Sequence, residues 1–444
     1  ASTHIKGLRR MSLSEQTRKN YTELLFHELI LSQGCTEPAA IAYAAALCRA
    51  QLGGEMLQVK VACSENLFKN AKSAVIPNTG ALKGIVAAAI CGTVCSADVE
   101  LKLEILESMT PARLAEVHRL LDANVCEVAL LESAEKLHIV VEIWTQTEQA
   151  LVEISHEHTH VKRIEKNGVP LQENSSWRAE ELNLEAIPLC PQDIYTYTEE
   201  ADLHGALGEL LQMQLDRNVA ICNEGMRRSW GSNIGKLLTE NNADTEKLAC
   251  AFAAAGSDAR MSGCAMPVVI NSGSGNQGIT ITAPIYVYAE TLQAPREKTL
   301  RALLLANLMS LYLKGMIGKL SAYCGAVSAG SAAGAGIAYL KGASAAQISH
   351  AFANSVAAIS GVLCDGAKPS CAAKIACSVY SGILAQKMAL SGNDFCGGDG
   401  IVAQTPEETI SNVGELARKG LVEIDRLILD TMYTTLPQPE SCKA

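Results

Sequence analysis

The apolar positions at the start of the chain follow a helical period. Between residues 12 and 32 they recur every three to four positions, which predicts an amphipathic helix. The segment QGCTEP interrupts the pattern, and the alanine-rich segment after it predicts a second helix that ends at Gly53. Thr36 is a suitable N-cap and Pro38 a suitable first-turn residue, so Cys35 is expected just before a helix N-terminus.

From Met56 the pattern changes to the alternation of strands. A helical segment, IVAAAICGTVC, lies among four segments that predict strands: MLQVKVAC, CEVALL, LHIVVEIWT and ALVEISHEHTHVKRIEKNG. The segment PLQENSSW predicts a linker. From about Ile194 the pattern is helical to the end of the chain, apart from a segment rich in glycine and β-branched residues that begins at Met266.

The fold class that follows is α+β with a mostly helical C-terminal part. We expect N-terminal helices with Cys35 over residues 1–54, an α+β domain over 55–185, and a mainly helical catalytic domain over 186–444. The N-terminal helices are expected to pack on the catalytic domain. A chain of 444 residues, 48% of them hydrophobic, is long enough for more than one core.

Charge and composition exclude several classes of partner. The net charge is −10 and no basic stripe is present, which argues against nucleic acid. No uninterrupted apolar run predicts a membrane span. The first residues, ASTHIKGLRRM, lack the apolar segment of a secretion signal, so we expect a cytoplasmic protein. In that reducing compartment most of the 16 cysteines should be free and buried.

Three cysteines lie on two short loops that precede helices. In CDGAKPSCAAK, Pro369 predicts that the chain from Cys364 is a loop leading into a helix at Cys371. Cys324, in KLSAYCGAVSAG, precedes a helix of small residues. Three thiolates could hold a metal or a cluster, and the helix dipole would favour the thiolate of Cys371, beside the possible N-cap Ser370. The alternative is that all three are small buried residues.

Other polar segments are candidates for binding a small molecule. A thiol such as Cys35 at a helix N-terminus can have a lowered pKa and act as nucleophile or base, although it could equally be a packing residue. GSGNQG, residues 273–278, matches a dinucleotide motif, but the β-branched residues and Pro284 after it are not expected to open a helix. We therefore expect a loop suited to a carboxylate, or a simple tight turn.

The segments IPNTG and HEHTH offer weaker signals. IPNTG, residues 76–80, is a second polar loop of the same kind. His156, His158 and His160 would face one side of a predicted strand, where hydrogen-bonding histidines are the more common outcome and zinc is the alternative.

Taken together, seven segments resemble the L-cysteine desulfidases, which belong with the iron–sulfur-dependent L-serine dehydratases. The resemblance runs from about residue 20 to about residue 420 and the segments occur in the family's order: GCTEP, NLFKNAKSAVIPNTG, HTHVKRIEKNGV, SDARMSG, NSGSGNQGI, CDGAKPSCAAK and GGDGIVA. The chain departs from the family with His160 in place of Asn, and with RMSG, PNTG and GGDG in place of RMGG, PGTG and GNEG. These departures bear on the choice of substrate more than on the reaction.

The resemblance implies a cofactor and a set of site residues. It implies a [4Fe-4S] cluster on Cys324, Cys364 and Cys371, and Cys35 as the residue that works directly on the substrate. The residues that it implies for substrate binding are Asn78, Thr79, His158, Asn271, Ser272, Gly273 and Asn276.

The reaction implied is β-elimination from a small L-amino acid, with L-cysteine converted to sulfide, pyruvate and ammonia. An iron–sulfur L-serine or L-threonine dehydratase is the first alternative, since its site would be the same with hydroxide as leaving group. A non-catalytic amino-acid or metal sensor is the second alternative. We expect a small amino acid as the ligand and a homo-oligomer, a dimer, as the assembly.

Overall fold

The computed structural model describes residues 12–174, 187–318 and 321–434, and their fold is α+β as the sequence predicts. The helices are α1 (Glu15–Glu28), α2 (Thr36–Ala50), α3 (Glu65–Ala71), α4 (Gly84–Val94), α5 (Pro111–Asp122), α6 (Pro191–Glu200), α7 (Ala206–Arg227), α8 (Ile234–Thr239), α9 (Thr245–Met261), α10 (Gly275–Leu292), α11 (Arg296–Ile317), α12 (Gly325–Leu340), α13 (Ala345–Ala358), α14 (Cys371–Leu390), α15 (Pro406–Glu415) and α16 (Val422–Thr434). A 3₁₀ segment covers Ser96–Ser108 and a short π-helix covers Leu416–Gly420.

Six of the strands form one mixed sheet in the N-terminal half. The strands are β1 (Leu31–Ser32), β2 (Gln58–Cys63), β3 (Cys126–Leu130), β4 (His138–Trp144), β5 (Gln149–Ser155), β6 (Val161–Lys166), β7 (Val169–Glu173) and β8 (Val268–Val269). The order in the sheet is β3-β2-β4-β5-β6-β7, with only β2 and β3 parallel. Alternate residues such as Val59 and Val61 are fully buried against α2 and α4, which gives this half its own core.

The second core is helical and lies in the C-terminal half. Helices α7, α9, α10, α11, α12 and α14 pack on one another, and α1 joins them through Tyr21 and Leu25. Helix α2 instead packs in the core of the sheet. The two-residue strands β1 and β8 pair antiparallel and link the start of the chain to the helical half.

Helix α11 is the one described helix that is long and apolar enough to cross a membrane. Of its most apolar stretch, 83% is buried inside the protein. Its residues belong to the helical core, which explains the apolar composition.

Helix α10 corrects the expectation that the GSGNQG motif does not open a helix. The helix begins at Gly275 and continues through Pro284, with most of its side chains buried. Burial on nearly all sides outweighs the low helix propensity of its β-branched residues. The hydroxyls of Thr280 and Thr282 donate to the carbonyls of Asn276 and Gly278 within the helix. The dinucleotide interpretation still fails, because β8 pairs antiparallel with β1 and is not part of a parallel βαβ unit.

Two further predictions about local structure were wrong. His156, His158 and His160 do not share a strand face; they lie in the turn between β5 and β6, where His156 has a positive φ of 68°. The segment PLQENSSW is not a linker throughout, because its first four residues belong to β7, the strand that pairs with β6. Its last three residues lie outside the described part of the chain.

Candidate functional site

Four helices begin at one cavity between the two cores. Cys35 is the N-cap of α2, Ser274 of α10 and Cys324 of α12, and Cys371 is the first residue of α14. All of them line a cavity of about 100 Å³. Because each helix N-terminus carries a partial positive charge, the arrangement favours thiolates and bound anions. The expected position of Cys35 before a helix is confirmed, although the N-cap is Cys35 itself and not Thr36.

A short antiparallel bridge brings Cys324 and Cys364 together. The amide of Cys324 donates to the carbonyl of Val362 at 3.1 Å, and the amide of Cys364 donates to the carbonyl of Ala322 at 2.7 Å. The two thiols are hydrogen-bonding partners. Backbone pairing between two loops that are distant in sequence therefore fixes the relative position of these sulfur atoms.

Cys371 reaches the same cavity from the loop that follows Cys364. Its thiol lies 3.6 Å from the carbonyl oxygen of Gly366 and donates to it. Asp365 accepts hydrogen bonds from both Lys368 and Lys374, which ties the loop to the first turn of α14. Gly366 has a φ of 94°, and a side chain there would meet the carbonyl oxygen of Lys69 at 2.3 Å. The loop conformation thus depends on a glycine at this position.

Four lysines surround the three thiols. The charges of Lys69, Lys368 and Lys374 each act to lower the pKa of Cys364 or Cys371, and Lys314 is buried close to Cys364 and Cys324. Burial outweighs the lysines at Cys371, whose pKa is raised, so the helix dipole does not by itself give the thiolate expected there. The hydrogen bond with Cys364, followed by burial, raises the pKa of Cys324. The hydrogen bond from Cys324, followed by Lys69, lowers the pKa of Cys364. Burial lowers the pKa of Lys314 to about 8. Positive charge around three thiols is the environment that thiolate ligands require.

The donor set consists of three thiols, which is the ligand type that iron–sulfur clusters take from proteins. Within the described ranges, no three His, Cys, Asp or Glu side chains are placed as ligands of one metal ion. Among the described residues every cysteine is a free thiol, which leaves Cys324, Cys364 and Cys371 available as ligands.

Cys35 lines the same cavity, and its thiol is hydrogen-bonded to a carboxylate. Its thiol donates to Oε2 of Glu37 at 2.9 Å, and the hydroxyl of Thr36 donates to the same oxygen at 3.1 Å. The other oxygen, Oε1, lies 4.0 Å from Nε2 of His158. Cys35 also packs with Met261 in a small apolar cluster that includes Cys371.

The pKa of Cys35 departs from the sequence-based expectation. Burial, followed by the charge of Glu37, raises the pKa of its thiol, although the nearby Arg260 acts in the opposite direction. The helix N-terminus does not by itself produce a thiolate here, since desolvation of the charged form costs more. Cys35 therefore carries its proton in the resting protein, with a carboxylate in place to receive it.

Some of the residues predicted for substrate binding line the cavity and others do not. His158, Ser272, Gly273 and Asn276 line it. Outside its lining, Asn78 donates to the carbonyl of Leu106 at 3.0 Å and Thr79 donates to the carbonyl of Ile76 at 2.6 Å. Asn271 is fully buried and donates to Oδ1 of Asn307 at 3.0 Å.

The loop that holds Asn78 and Thr79 packs next to the N-terminus of α2, outside the cavity. A side chain at Gly34 would meet Pro77 of this loop at 2.5 Å, so the loop packs directly against the residue that precedes Cys35. Thr79 is used for the turn of the loop itself and Asn78 is bonded to the 3₁₀ segment, which explains why neither side chain reaches the cavity.

Sequence reasoning missed several residues of the lining. Glu37, Arg260 and Gln277 lie inside the segments GCTEP, SDARMSG and NSGSGNQGI, so the motifs contained them without giving them a role. Lys314 lies in an apolar helix, and nothing in its local sequence distinguishes it from a surface lysine. Only the fold shows that it faces the cavity.

Known proteins share this chain's sequence over most of its length. The serine dehydratase alpha chain family matches residues 100–430. The chain belongs to that family. It is 44% identical over 415 residues to a UPF0597 protein of Lachnoclostridium phytofermentans, which covers 93% of this chain and 99% of the relative. UPF0597 proteins of Finegoldia magna and Desulfitobacterium hafniense are 42% and 41% identical, over 93% and 95% of this chain and 99% and 98% of theirs.

The serine dehydratase alpha chain match includes the three clustered cysteines but not Cys35 and Glu37. Cys324, Cys364 and Cys371 lie within residues 100–430, as does His158. Cys35 and Glu37 precede residue 100 and belong to the part that the chain shares with the UPF0597 proteins.

Proposed function

We propose that this protein is an iron–sulfur-dependent lyase that removes the β-substituent of a small L-amino acid, with L-cysteine as its substrate. The products would be sulfide, pyruvate and ammonia. The observation that carries the proposal is one cavity lined by three cysteine thiols and by a fourth thiol that is hydrogen-bonded to a carboxylate. The dependence of the serine dehydratase alpha chain family on iron and sulfur supports the same reaction class.

Cys324, Cys364 and Cys371 are the residues that would hold a [4Fe-4S] cluster. When bound through three cysteines, such a cluster supplies one open, Lewis-acidic iron for the leaving group. The charges of Lys69, Lys368 and Lys374 would favour the thiolates of Cys364 and Cys371 against the effect of burial. The N-termini of α12 and α14 would favour those of Cys324 and Cys371.

Cys35 and Glu37 would move the α-proton. Cys35 gives its proton to Glu37, and the resulting thiolate removes the proton from Cα of the substrate. The electrons of the Cα–H bond form the Cα–Cβ double bond as the Cβ–S bond breaks, and the sulfur leaves as sulfide. The aminoacrylate that remains takes up water outside the protein and yields pyruvate and ammonia. His158, near Oε1 of Glu37, orients the carboxylate.

The second candidate is an L-serine or L-threonine dehydratase, with hydroxide as the leaving group. The name of the serine dehydratase alpha chain family favours it. The same residues would perform it, because only the atom that leaves Cβ differs. An assay of both products separates the candidates: sulfide from cysteine against pyruvate or 2-oxobutyrate from serine or threonine.

The test begins with protein purified without oxygen. We expect a brown protein with about four irons per chain that releases sulfide from L-cysteine. Cys364→Ala and Cys324→Ala should lose iron and activity together, whereas Cys35→Ser should keep its iron and lose turnover. Cys377→Ala is the matched control, since this exposed cysteine of α14 does not line the cavity. A colourless protein with full activity would refute the cluster, and amino-acid binding without any turnover would indicate a sensor.

A further inference from the structure

A buried arginine borders the cavity with part of its guanidinium unused. Arg260, on α9, is 2% exposed and lines the cavity. Its Nη1 donates to Oδ1 of Asn276 at 3.1 Å. Among the described residues, its buried Nε has no hydrogen-bond partner. Burial of a charged donor costs free energy unless an acceptor is hydrogen-bonded to it, so this position favours a bound anion.

The guanidinium lies directly on the first turn of α10. A side chain at Gly275 would meet Nε of Arg260 at 2.3 Å, so only glycine allows this contact. The first N–H groups of a helix have no partners within the helix, and the N-cap Ser274 makes no side-chain capping bond. The charged group and the helix N-terminus therefore point to the same volume.

Gln277, in the same first turn, adds a second buried polar group. It is 5% exposed and its Oε1 has no hydrogen-bond partner in the described part of the chain. Its amide packs against Gly325 at the start of α12, since a side chain there would lie 2.6 Å from it. The amide therefore lies at the start of α12, and its unpaired oxygen can accept a hydrogen bond from a ligand donor but does not bind a carboxylate.

The nearby acidic residue is already engaged elsewhere. Glu37 interacts with Arg260 through charge, but its Oε2 accepts from Cys35 and Thr36 and its Oε1 faces His158. Cys35 and Cys371 are the other titratable groups near the guanidinium. A ligand carboxylate at Nε would thus accept a hydrogen bond from the unpaired donor of the guanidinium without displacing an existing ion pair.

We infer that Arg260 and the first turn of α10 bind the carboxylate of the ligand, so that the cavity accepts carboxylic acids and rejects their amides. The identification of that acid as an amino acid rests on the proposed function. Two parallel N–H···O bonds from a guanidinium fix a carboxylate in orientation as well as in position. The α-carbon is then held in the cavity that Cys35 and the three clustered cysteines line.

The test is calorimetric and uses the anaerobic holoprotein with a ligand that has no leaving group. L-Alanine and L-alaninamide differ in the carboxylate alone. We expect the wild type to bind L-alanine about 10–100-fold more tightly, because hydrogen bonds to charged groups contribute at this level. Arg260→Gln should lose the preference, and Arg260→Lys should keep part of it. Arg228→Gln, an exposed arginine after α7, is the control.

Turnover and iron content make the outcomes distinct. Arg260→Gln should keep its iron and raise the KM for L-cysteine. Equal binding of the acid and the amide by the wild type, or no binding of L-alanine, overturns the inference without any variant. If no amino acid is turned over but L-alanine binding still depends on Arg260, carboxylate binding by Arg260 is supported and the lyase proposal is refuted. If Arg260→Gln turns over L-cysteine with an unchanged KM, carboxylate binding by Arg260 is refuted and the lyase proposal is unaffected.

Discussion

The thiol of Cys35 and Oε2 of Glu37 are joined by a hydrogen bond of 2.9 Å at the N-terminus of α2. They are two residues apart in the chain, and they meet because Cys35 is the N-cap, with an extended backbone (φ −78°, ψ 133°), while Glu37 lies in the first turn. Both line the same cavity. The carboxylate is 7% exposed and the thiol 4% exposed, so water does not compete for the proton that they share. This pair is the strongest candidate for a base in the cavity that the three clustered cysteines also line.

Replacement of Glu37 by glutamine should lower kcat for L-cysteine about 100–1000-fold, the range of a lost general base. The amide keeps the size of the side chain but cannot receive the proton of Cys35. We expect iron content and KM to stay near the wild-type values, measured by iron analysis and by the rate of sulfide release at several cysteine concentrations.

Glu153→Gln is the matched control for this substitution. Glu153 is also buried and also paired with a histidine, His138, at 2.8 Å, but it lies in the sheet away from the cavity. Its replacement should reduce stability and leave kcat unchanged. Wild-type kcat in Glu37→Gln, or an equal loss in both variants, would remove Glu37 from the proton path.

An ion pair between α1 and the turn that holds His158 should make stability depend on pH. Nε2 of His27 lies 2.9 Å from Oε1 of Glu157, and this bond, followed by the one to Glu28, raises the pKa of His27 to about 9. A histidine whose pKa is raised in the folded state contributes its full stabilisation of that state below its ordinary pKa of about 6.5. That contribution is lost as the pH rises through about 9.

We therefore expect the free energy of unfolding to fall between pH 6.5 and pH 9.5 by about 1–2 kcal/mol more in the wild type than in His27→Gln. One unit of pKa shift corresponds to about 1.4 kcal/mol, and solvent screening of a partly exposed ion pair reduces the total that the shift of His27 contributes to the free energy of unfolding. Urea denaturation at several pH values measures it. Glu157→Gln should lose the same pH-dependent part of the free energy of unfolding as His27→Gln, and the double variant should lose no more than either single variant. Parallel curves of unfolding free energy against pH for wild type and His27→Gln would contradict the assignment.

The sequence predicted the positions of the thiols better than the shape of the cavity. Pro369 and the small residues after Cys324 marked where loops end and helices begin, because these signals are local. The α+β class and the strands of the sheet followed from alternation for the same reason. Contacts between distant segments, such as the bridge from Tyr323 to Leu363, leave no local signal.

The errors occurred where packing overrides local preference. Helix α10 contains Pro284 and many β-branched residues, yet burial in the helical core keeps it helical. His156 and His160 alternate in sequence as strand residues do, but a turn with a positive φ separates β5 from β6 at this point. Arg260 could not be assigned from its motif, since its role depends on the approach of Gly275.

The contact between α12 and α14 should control both stability and cluster binding. These helices begin at Cys324 and Cys371, and they touch where a side chain at Gly382 would lie 2.2 Å from the carbonyl oxygen of Gly330. Gly382→Ala should force the helices apart and reduce the free energy of unfolding by about 1–3 kcal/mol, the usual cost of overpacking. Iron content per chain should fall with it, because two of the three thiols move relative to each other.

Gly315→Ala provides the control for this last prediction. Gly315 lies in α11, and nothing lies within 4 Å of the position that its side chain would take. Alanine there should raise the free energy of unfolding by about 0.5–1 kcal/mol through its higher helix propensity and leave iron content unchanged. Chemical denaturation of both variants, with iron analysis on the same preparations, checks the pair. Equal stability of Gly382→Ala and the wild type, or a loss of iron in both variants, would show that close helix packing does not position the thiols.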